Sequence, residues 1–126
     1  MRAVDTNVLV RLIARDDPRQ LAAAEGFVRP GAWASHVVLA ELVWVLDSMY
    51  DMQPAQIAGT VEMLLEHESL AIQDPEVVRA ALARFRGRPD VGFSDCLILE
   101  AARKAGHLPL GTFDRDLGKL DGAQVL

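Results

Sequence analysis

Four acidic residues are the strongest candidates for a functional site in this sequence, because of where they lie. Asp5 lies in VDTN after a short apolar run, Asp95 lies in FSDCLILEAA, and Asp114 follows GTF. Glu41 lies within HVVLAELVWVL, which is otherwise apolar. A helix that is apolar all round is normally buried, and burying an unpaired charge costs several kcal/mol. We therefore expect something in the folded protein to offset the charge of Glu41.

A hard divalent cation would offset that charge. Two carboxylates about 4 Å apart repel by about 4 kcal/mol at an effective dielectric constant of 20, and no basic residue beside Asp5 or Glu41 in the sequence offers clear relief. Ligands that are all oxygen suit Mg²⁺ or Mn²⁺. Such a site generates hydroxide near neutral pH and stabilises a leaving oxygen, which favours phosphoryl chemistry. The sequence has no G-x-S-x-G motif and no cysteine with an evident histidine partner.

Each acid also has a purely structural interpretation. Asp5 could cap a helix, Ser94 or Asp95 could do the same at a later helix, and Asp114 could form an Asx-turn. Glu41 could pair with a buried arginine or reach solvent. By contrast, Asp17 and Asp74 directly precede prolines that begin helices, and capping accounts for them without any chemistry.

Length and composition predict one globular domain over residues 1–126. Of the 126 residues 51% are hydrophobic and 25% are charged, and no apolar run approaches the roughly 18 residues that cross a bilayer. The N-terminus lacks a secretory apolar region, so we expect a cytoplasmic protein without membrane contact. The net charge of −5 argues against a broadly basic nucleic-acid binder, but bound cations would reverse the local charge of an acidic site.

Short apolar runs alternate with helical patterns along the chain. Strands are predicted at residues 2–5, AWAS, SLAI, PLGTF and AQVL, with helices or turns between them. Alternation of this kind favours an α/β fold with a parallel sheet that is covered on both faces. In such folds the sites form beyond the carboxyl ends of the strands.

Four segments of the sequence resemble the PIN-domain ribonucleases, in particular the VapC toxins of bacterial toxin–antitoxin pairs. The segments are VDTNVLV, LAEL, FSDCLILEAA and GTFDRDL, and they occur in the order of the family. The resemblance implies a three-layer α/β/α sandwich around a short, mainly parallel central sheet. It also implies hydrolysis of RNA phosphodiester bonds with Mg²⁺ or Mn²⁺ as cofactor.

The resemblance assigns roles residue by residue. The four acids of the family fall on Asp5, Glu41, Asp95 and Asp114 as catalytic residues and metal ligands. An acid that is often present falls on Asp116 as a further ligand, and the supporting polar residues fall on Thr6, Asn7 and Thr112. Arginines near the predicted site loops are candidates for contact with the RNA backbone, against the alternative that they are solvated. They are Arg86, Arg88, Arg11, Arg15 and Arg115.

The resemblance also implies partners. A small VapB-like antitoxin would block the acidic groove, often with a basic side chain, and family members usually form homodimers. The apolar helices VVLAELVWVLDSMY and IAGTVEMLLEH could supply the dimer surface or be buried within the monomer. We expect the aromatic residues, including Trp44 and Phe113, to pack in the core. Two alternative functions are a signalling receiver domain and a catalytically idle PIN-like binding module.

Overall fold

Parallel strands joined by pairs of helices make up the first of two units into which the chain divides. The computed structural model describes residues 1–126, with one unit at Met1–Pro75 and the other at Glu76–Leu126. The elements of the first unit are β1 Arg2–Ala3, α1 Thr6–Ala14, α2 Pro18–Val28, β2 Ala32–Ala34, α3 His36–Tyr50, α4 Pro54–Glu66 and β3 Leu70–Ile72.

The three strands of the first unit form a parallel sheet in the order β1-β2-β3. Ala3 pairs with Trp33, and Trp33 pairs with Ala71. Parallel neighbours require crossover connections, which α1 with α2 and α3 with α4 provide. The carboxyl ends of β1 and β2 therefore lie at the same edge of the sheet, where Asp5 and Ser35 follow the two strands.

Polar side chains determine where the helices of this unit begin. Asp17 accepts a hydrogen bond from the backbone N–H of Gln20 at 3.0 Å, and Ser35 accepts one from Val38 at 3.2 Å. These are N-cap interactions, which satisfy amides that a helix cannot pair internally. The capping role predicted for Asp17 is confirmed.

The core of the first unit is built mainly from one side of each helix. Helix α1 packs against α2 and α3, and α4 packs against α3 and β3. Side chains that are almost inaccessible to solvent include Leu9, Leu39, Leu42, Leu46, Val61 and Leu64. Burial of each large aliphatic side chain contributes about 1.5–3 kcal/mol, so these helices are held at the sheet chiefly by apolar packing.

The second unit joins two helices to a two-stranded parallel sheet. Its elements are α5 Pro75–Gly87, which begins at the unit boundary, α6 Phe93–Ala105, β4 Leu110–Thr112, a 3₁₀ helix at Leu117–Lys119, and β5 Ala123–Val125. Strands β4 and β5 pair in parallel, with Thr112 opposite Val125. The rings of Phe85 on α5 and Phe93 on α6 meet edge to face with centroids 6.1 Å apart, a favourable geometry for aromatic pairs.

Two glycines are required by the geometry of the second unit. Gly106 has φ of 82° and ends α6, where its N–H donates to the carbonyls of Ala102 and Arg103. This left-handed conformation costs little only without a Cβ atom. At Gly118, a Cβ atom would overlap the side chain of Val125, so the absence of a side chain lets the 3₁₀ helix approach β5.

The predicted α/β class with short parallel strands is confirmed, with shorter strands than the sequence suggested. Strand β1 ends at Ala3 rather than residue 5, because Asp5 already caps α1. Six α-helices are present. None of them combines the length and the apolar character needed to cross a membrane.

Candidate active site

Asp5 lies directly before α1 and caps it. One carboxylate oxygen, Oδ1, accepts a hydrogen bond from the N–H of Val8 at 3.2 Å. The structural interpretation of this acid is therefore correct, and it fixes the orientation of the carboxylate at the edge of the sheet. Of the two polar residues predicted to support Asp5, Thr6 is buried and Asn7 is exposed.

Glu41 is exposed, and the prediction that its charge is buried is wrong. Helix α3 buries Leu39, Leu42 and Leu46, whereas Glu41 shares its outward face with Trp44, which is 64% exposed. The prediction failed because the outward face of α3 also carries large apolar side chains, so the apolar composition did not indicate burial. Glu41 lies six residues after Ser35, about 9 Å along the helix at a rise of about 1.5 Å per residue.

The buried carboxylate of this protein is Glu100, which our sequence analysis did not single out. Glu100 lies on α6 with only 6% of its side chain exposed. Its Oε1 lies 3.3 Å from Nε of Arg103, and its Oε2 lies 3.5 Å from Nε of Arg84 on α5. Two guanidinium groups thus offset the charge. The sequence signal was present as a glutamate inside CLILEAAR with an arginine three residues later.

Asp95 is half-buried in the first turn of α6. The helix begins at Phe93 with Gly92 in the N-cap position at φ of 86°, so neither Ser94 nor Asp95 is the cap. Burial raises the pKa of the Asp95 carboxyl, and the nearby charge of Asp114 raises it further. No basic group counters these two effects, although a helix N-terminus generally favours negative charge.

Asp114 forms the predicted Asx-turn after β4. Its Oδ1 accepts hydrogen bonds from the N–H groups of Asp116 at 2.8 Å and Leu117 at 3.1 Å. The hydroxyl oxygen of Thr112 accepts a hydrogen bond from the N–H of Asp114 at 3.0 Å, a contact consistent with its predicted supporting role. Asp116 is exposed and lies 3.9 Å from Nζ of Lys119. The turn therefore holds the carboxylate of Asp114 in one orientation.

The candidate RNA-binding arginines have different surroundings. Arg88 donates two hydrogen bonds to Asp90, at 3.0 and 2.8 Å, and this contact raises the pKa of the guanidinium. Arg11 lies 2.9 Å from Asp16, and Arg15 lies 3.9 Å from Glu25. Arg86 and Arg115 are both exposed. Arginines held by neighbouring carboxylates must exchange that contact to bind a phosphate.

The remaining predictions for individual side chains have mixed outcomes. Phe85 and Phe93 are buried as predicted, but the prediction that Trp44 and Phe113 pack in the core is wrong, because they are 64% and 81% exposed. Cys96 is buried, and burial is the main cause that raises the pKa of its thiol to about 11. The thiol therefore stays protonated at neutral pH and is not a nucleophile.

The acids of the second unit suit a hard divalent cation in their chemistry. Asp95 and Asp114 offer only carboxylate oxygens, and their mutual repulsion is relieved by a bound positive charge. Neither unit taken alone contains three or more His, Cys, Asp or Glu side chains grouped so that they could hold a metal ion. Two carboxylates do not complete a metal site, but their oxygens are of the type that Mg²⁺ or Mn²⁺ prefers.

Comparison with known protein families shows to which family this sequence is similar. A family model described as PIN domain matches residues 2–123. A comparison with curated proteins found no match. The matched range includes every candidate site residue in both units.

Substitution of Glu100 and of Glu41 by glutamine compares a buried, paired carboxylate with an exposed one. We expect Glu100→Gln to lower the free energy of unfolding by about 2 kcal/mol, since it weakens two charged contacts at a buried group. Glu41→Gln, the matched control, should change it by less than about 0.5 kcal/mol because the side chain is exposed. Urea titration followed by circular dichroism measures both. Equal effects of the two substitutions would contradict this assignment.

Proposed function

Because this chain belongs to the PIN-domain family, we propose that it is a metal-dependent endoribonuclease and the toxin of a VapBC-type toxin–antitoxin pair. PIN domains are typically nucleases that use divalent metal ions. The observation that carries the proposal is the family match over residues 2–123, and it is supported by Asp95, whose carboxyl pKa is raised by burial and by the charge of Asp114. A site that requires a cation for balance suits phosphodiester hydrolysis.

Four acids have the catalytic and metal-binding roles in this proposal. They are Asp5, Glu41, Asp95 and Asp114, and Asp116 is a further ligand. Mg²⁺ or Mn²⁺, when bound, supplies an activated water and stabilises charge on the leaving oxygen. The chain contributes orientation, because Asp5 and Asp114 are each fixed through Oδ1 by backbone amides. We take residues 1–126 as one PIN domain, since the family model spans both units.

The chain offers arginines for the RNA backbone. Arg115 is exposed next to Asp114 and is the strongest candidate for a phosphate contact. Arg86, Arg88, Arg11 and Arg15 are weaker candidates, three of them because they lie close to carboxylates. An enzyme with cellular RNA as its substrate would work in the cytoplasm.

Metal-dependent cleavage of RNA tests the activity. Purified protein should cut a labelled structured RNA in Mg²⁺ or Mn²⁺, and EDTA should stop the reaction. Asp5→Asn should abolish cleavage because it removes charge while an amide oxygen can still cap α1. Asp17→Asn, which makes the same exchange at the cap of α2, should stay active. Cleavage that survives chelation, or an active Asp5→Asn protein, would refute the mechanism. Absence of any metal binding would favour an idle PIN-like module.

The outward face of α3 supports a homodimer. Val37 and Trp44 lie seven residues apart on this face, and they are 77% and 64% exposed. Large apolar side chains at helical spacing on a surface mark association sites. We expect Trp44→Asp to convert a dimer to a monomer in light scattering coupled to gel filtration. Phe113→Asp, which changes an exposed aromatic residue of the other unit, should leave the mass unchanged. A wild-type monomer would rule the dimer out.

A groove between α1 and α2 is the proposed binding site for a segment of the antitoxin. The groove encloses about 330 Å³, is lined largely by apolar atoms, and includes Asn7, Arg11, Ala23 and Phe27. It begins two residues from Asp5, so a segment bound there could bring a basic side chain to the acids. Expression should be toxic, and a small protein encoded by a neighbouring gene should relieve the toxicity. Ala23→Arg should remain toxic but escape that relief. Full relief of Ala23→Arg would show that the antitoxin binds elsewhere.

A further inference from the structure

Phe113 is an aromatic side chain that the fold leaves in solvent. It follows β4 and immediately precedes Asp114, and its side chain is 81% exposed. Phenylalanine is among the residues that proteins most often bury. The two other phenylalanines of this unit, Phe85 and Phe93, are almost inaccessible to solvent and contact each other. The exposure of Phe113 is therefore a local exception within its own unit.

The backbone around Phe113 is held in place by hydrogen bonds on both sides. Thr112 belongs to β4 and accepts the N–H of Asp114 at 3.0 Å. The side chain of Asp114 accepts hydrogen bonds from the N–H groups of Asp116 and Leu117. Its backbone carbonyl accepts one from the N–H of Gly118 at 2.9 Å. A ring on such a turn is presented in a limited range of positions, so little conformational entropy is lost when a ligand binds it.

The three residues that follow Phe113 are charged. Asp114, Arg115 and Asp116 are all exposed, and Arg115 makes no ion pair with a carboxylate, unlike Arg88 with Asp90. A flat apolar ring beside a guanidinium group matches a nucleotide, which has a flat base and an anionic phosphate. Aromatic side chains in proteins that bind single strands stack on bases in this way.

We propose that Phe113 stacks on an unpaired RNA base next to the phosphate at which Asp114 acts, and that Arg115 binds a neighbouring phosphate. This inference rests on the proposed ribonuclease function and specifies its substrate. A base within a duplex has both faces covered by its neighbours, so a stacking side chain selects a single-stranded or looped segment. Phe113 is thus a specificity-determining residue and not a catalytic one.

Binding measured without metal tests the inference separately from cleavage. The probes are a fluorescent single-stranded RNA and the same sequence in a duplex, both in EDTA, followed by anisotropy. Phe113→Leu should weaken binding of the single strand about 5–150-fold, the loss expected for one stacked base, and leave duplex binding unchanged. Phe113→Trp keeps an aromatic ring and should bind the single strand at least as tightly as wild type.

Two further substitutions serve as controls. Arg115→Ala should weaken both RNAs and reduce the slope of log K against log salt by about 1. Leu126→Ala removes another exposed apolar side chain but keeps the backbone N–H that donates to the carbonyl of Thr112, and it should not change RNA binding. Circular dichroism should show that every variant is folded.

The outcomes separate this inference from the proposed function. Single-strand affinity of Phe113→Leu equal to wild type would overturn the stacking role, whether or not the protein cleaves RNA. If Phe113→Leu and Leu126→Ala lower the molecular mass measured by sedimentation and leave RNA affinity unchanged, this surface is a protein interface, and that result would also overturn the stacking role. Aromatic-dependent binding of single strands by a protein that fails to cleave would leave stacking intact and refute the nuclease.

Discussion

Repulsion between Asp95 and Asp114 is the interaction on which the proposed chemistry depends. The fold half-buries the carboxyl of Asp95 and places it in the field of the exposed Asp114, and both effects raise the pKa of Asp95. In the proposed function, a bound cation would offset both effects on Asp95.

Glu100 shows how the same unit treats a structural carboxylate. Its charge is more deeply buried than that of Asp95, yet two guanidinium groups lie within 3.5 Å, and the one of Arg84 joins α5 to α6. A second ion pair, between Lys104 and Glu76, also connects these helices. The contrast within one unit is informative, because basic residues are available nearby and none of them reaches Asp95.

The sequence predicted the elements better than the surroundings of their side chains. Alternating apolar runs, with prolines and glycines at helix ends, were enough to predict the α/β class and the cap at Asp17. The exposure of Glu41 could not be predicted, because apolar residues occur on both sides of α3 and the sequence does not indicate which side the other helices cover. Phe113 was misjudged for a related reason, since the general preference of aromatic rings for the core says nothing about one particular turn.

The helix cap formed by Asp5 and the Asx-turn formed by Asp114 have a consequence for how the proposed activity could be lost. In each residue one oxygen, Oδ1, satisfies backbone amides, and the carbonyl oxygen of an asparagine could do the same. Architecture depends on the presence of an acceptor, whereas reactivity depends on negative charge. If these acids act as proposed, exchange of either one for asparagine would therefore yield a protein that keeps its structure and loses its chemistry.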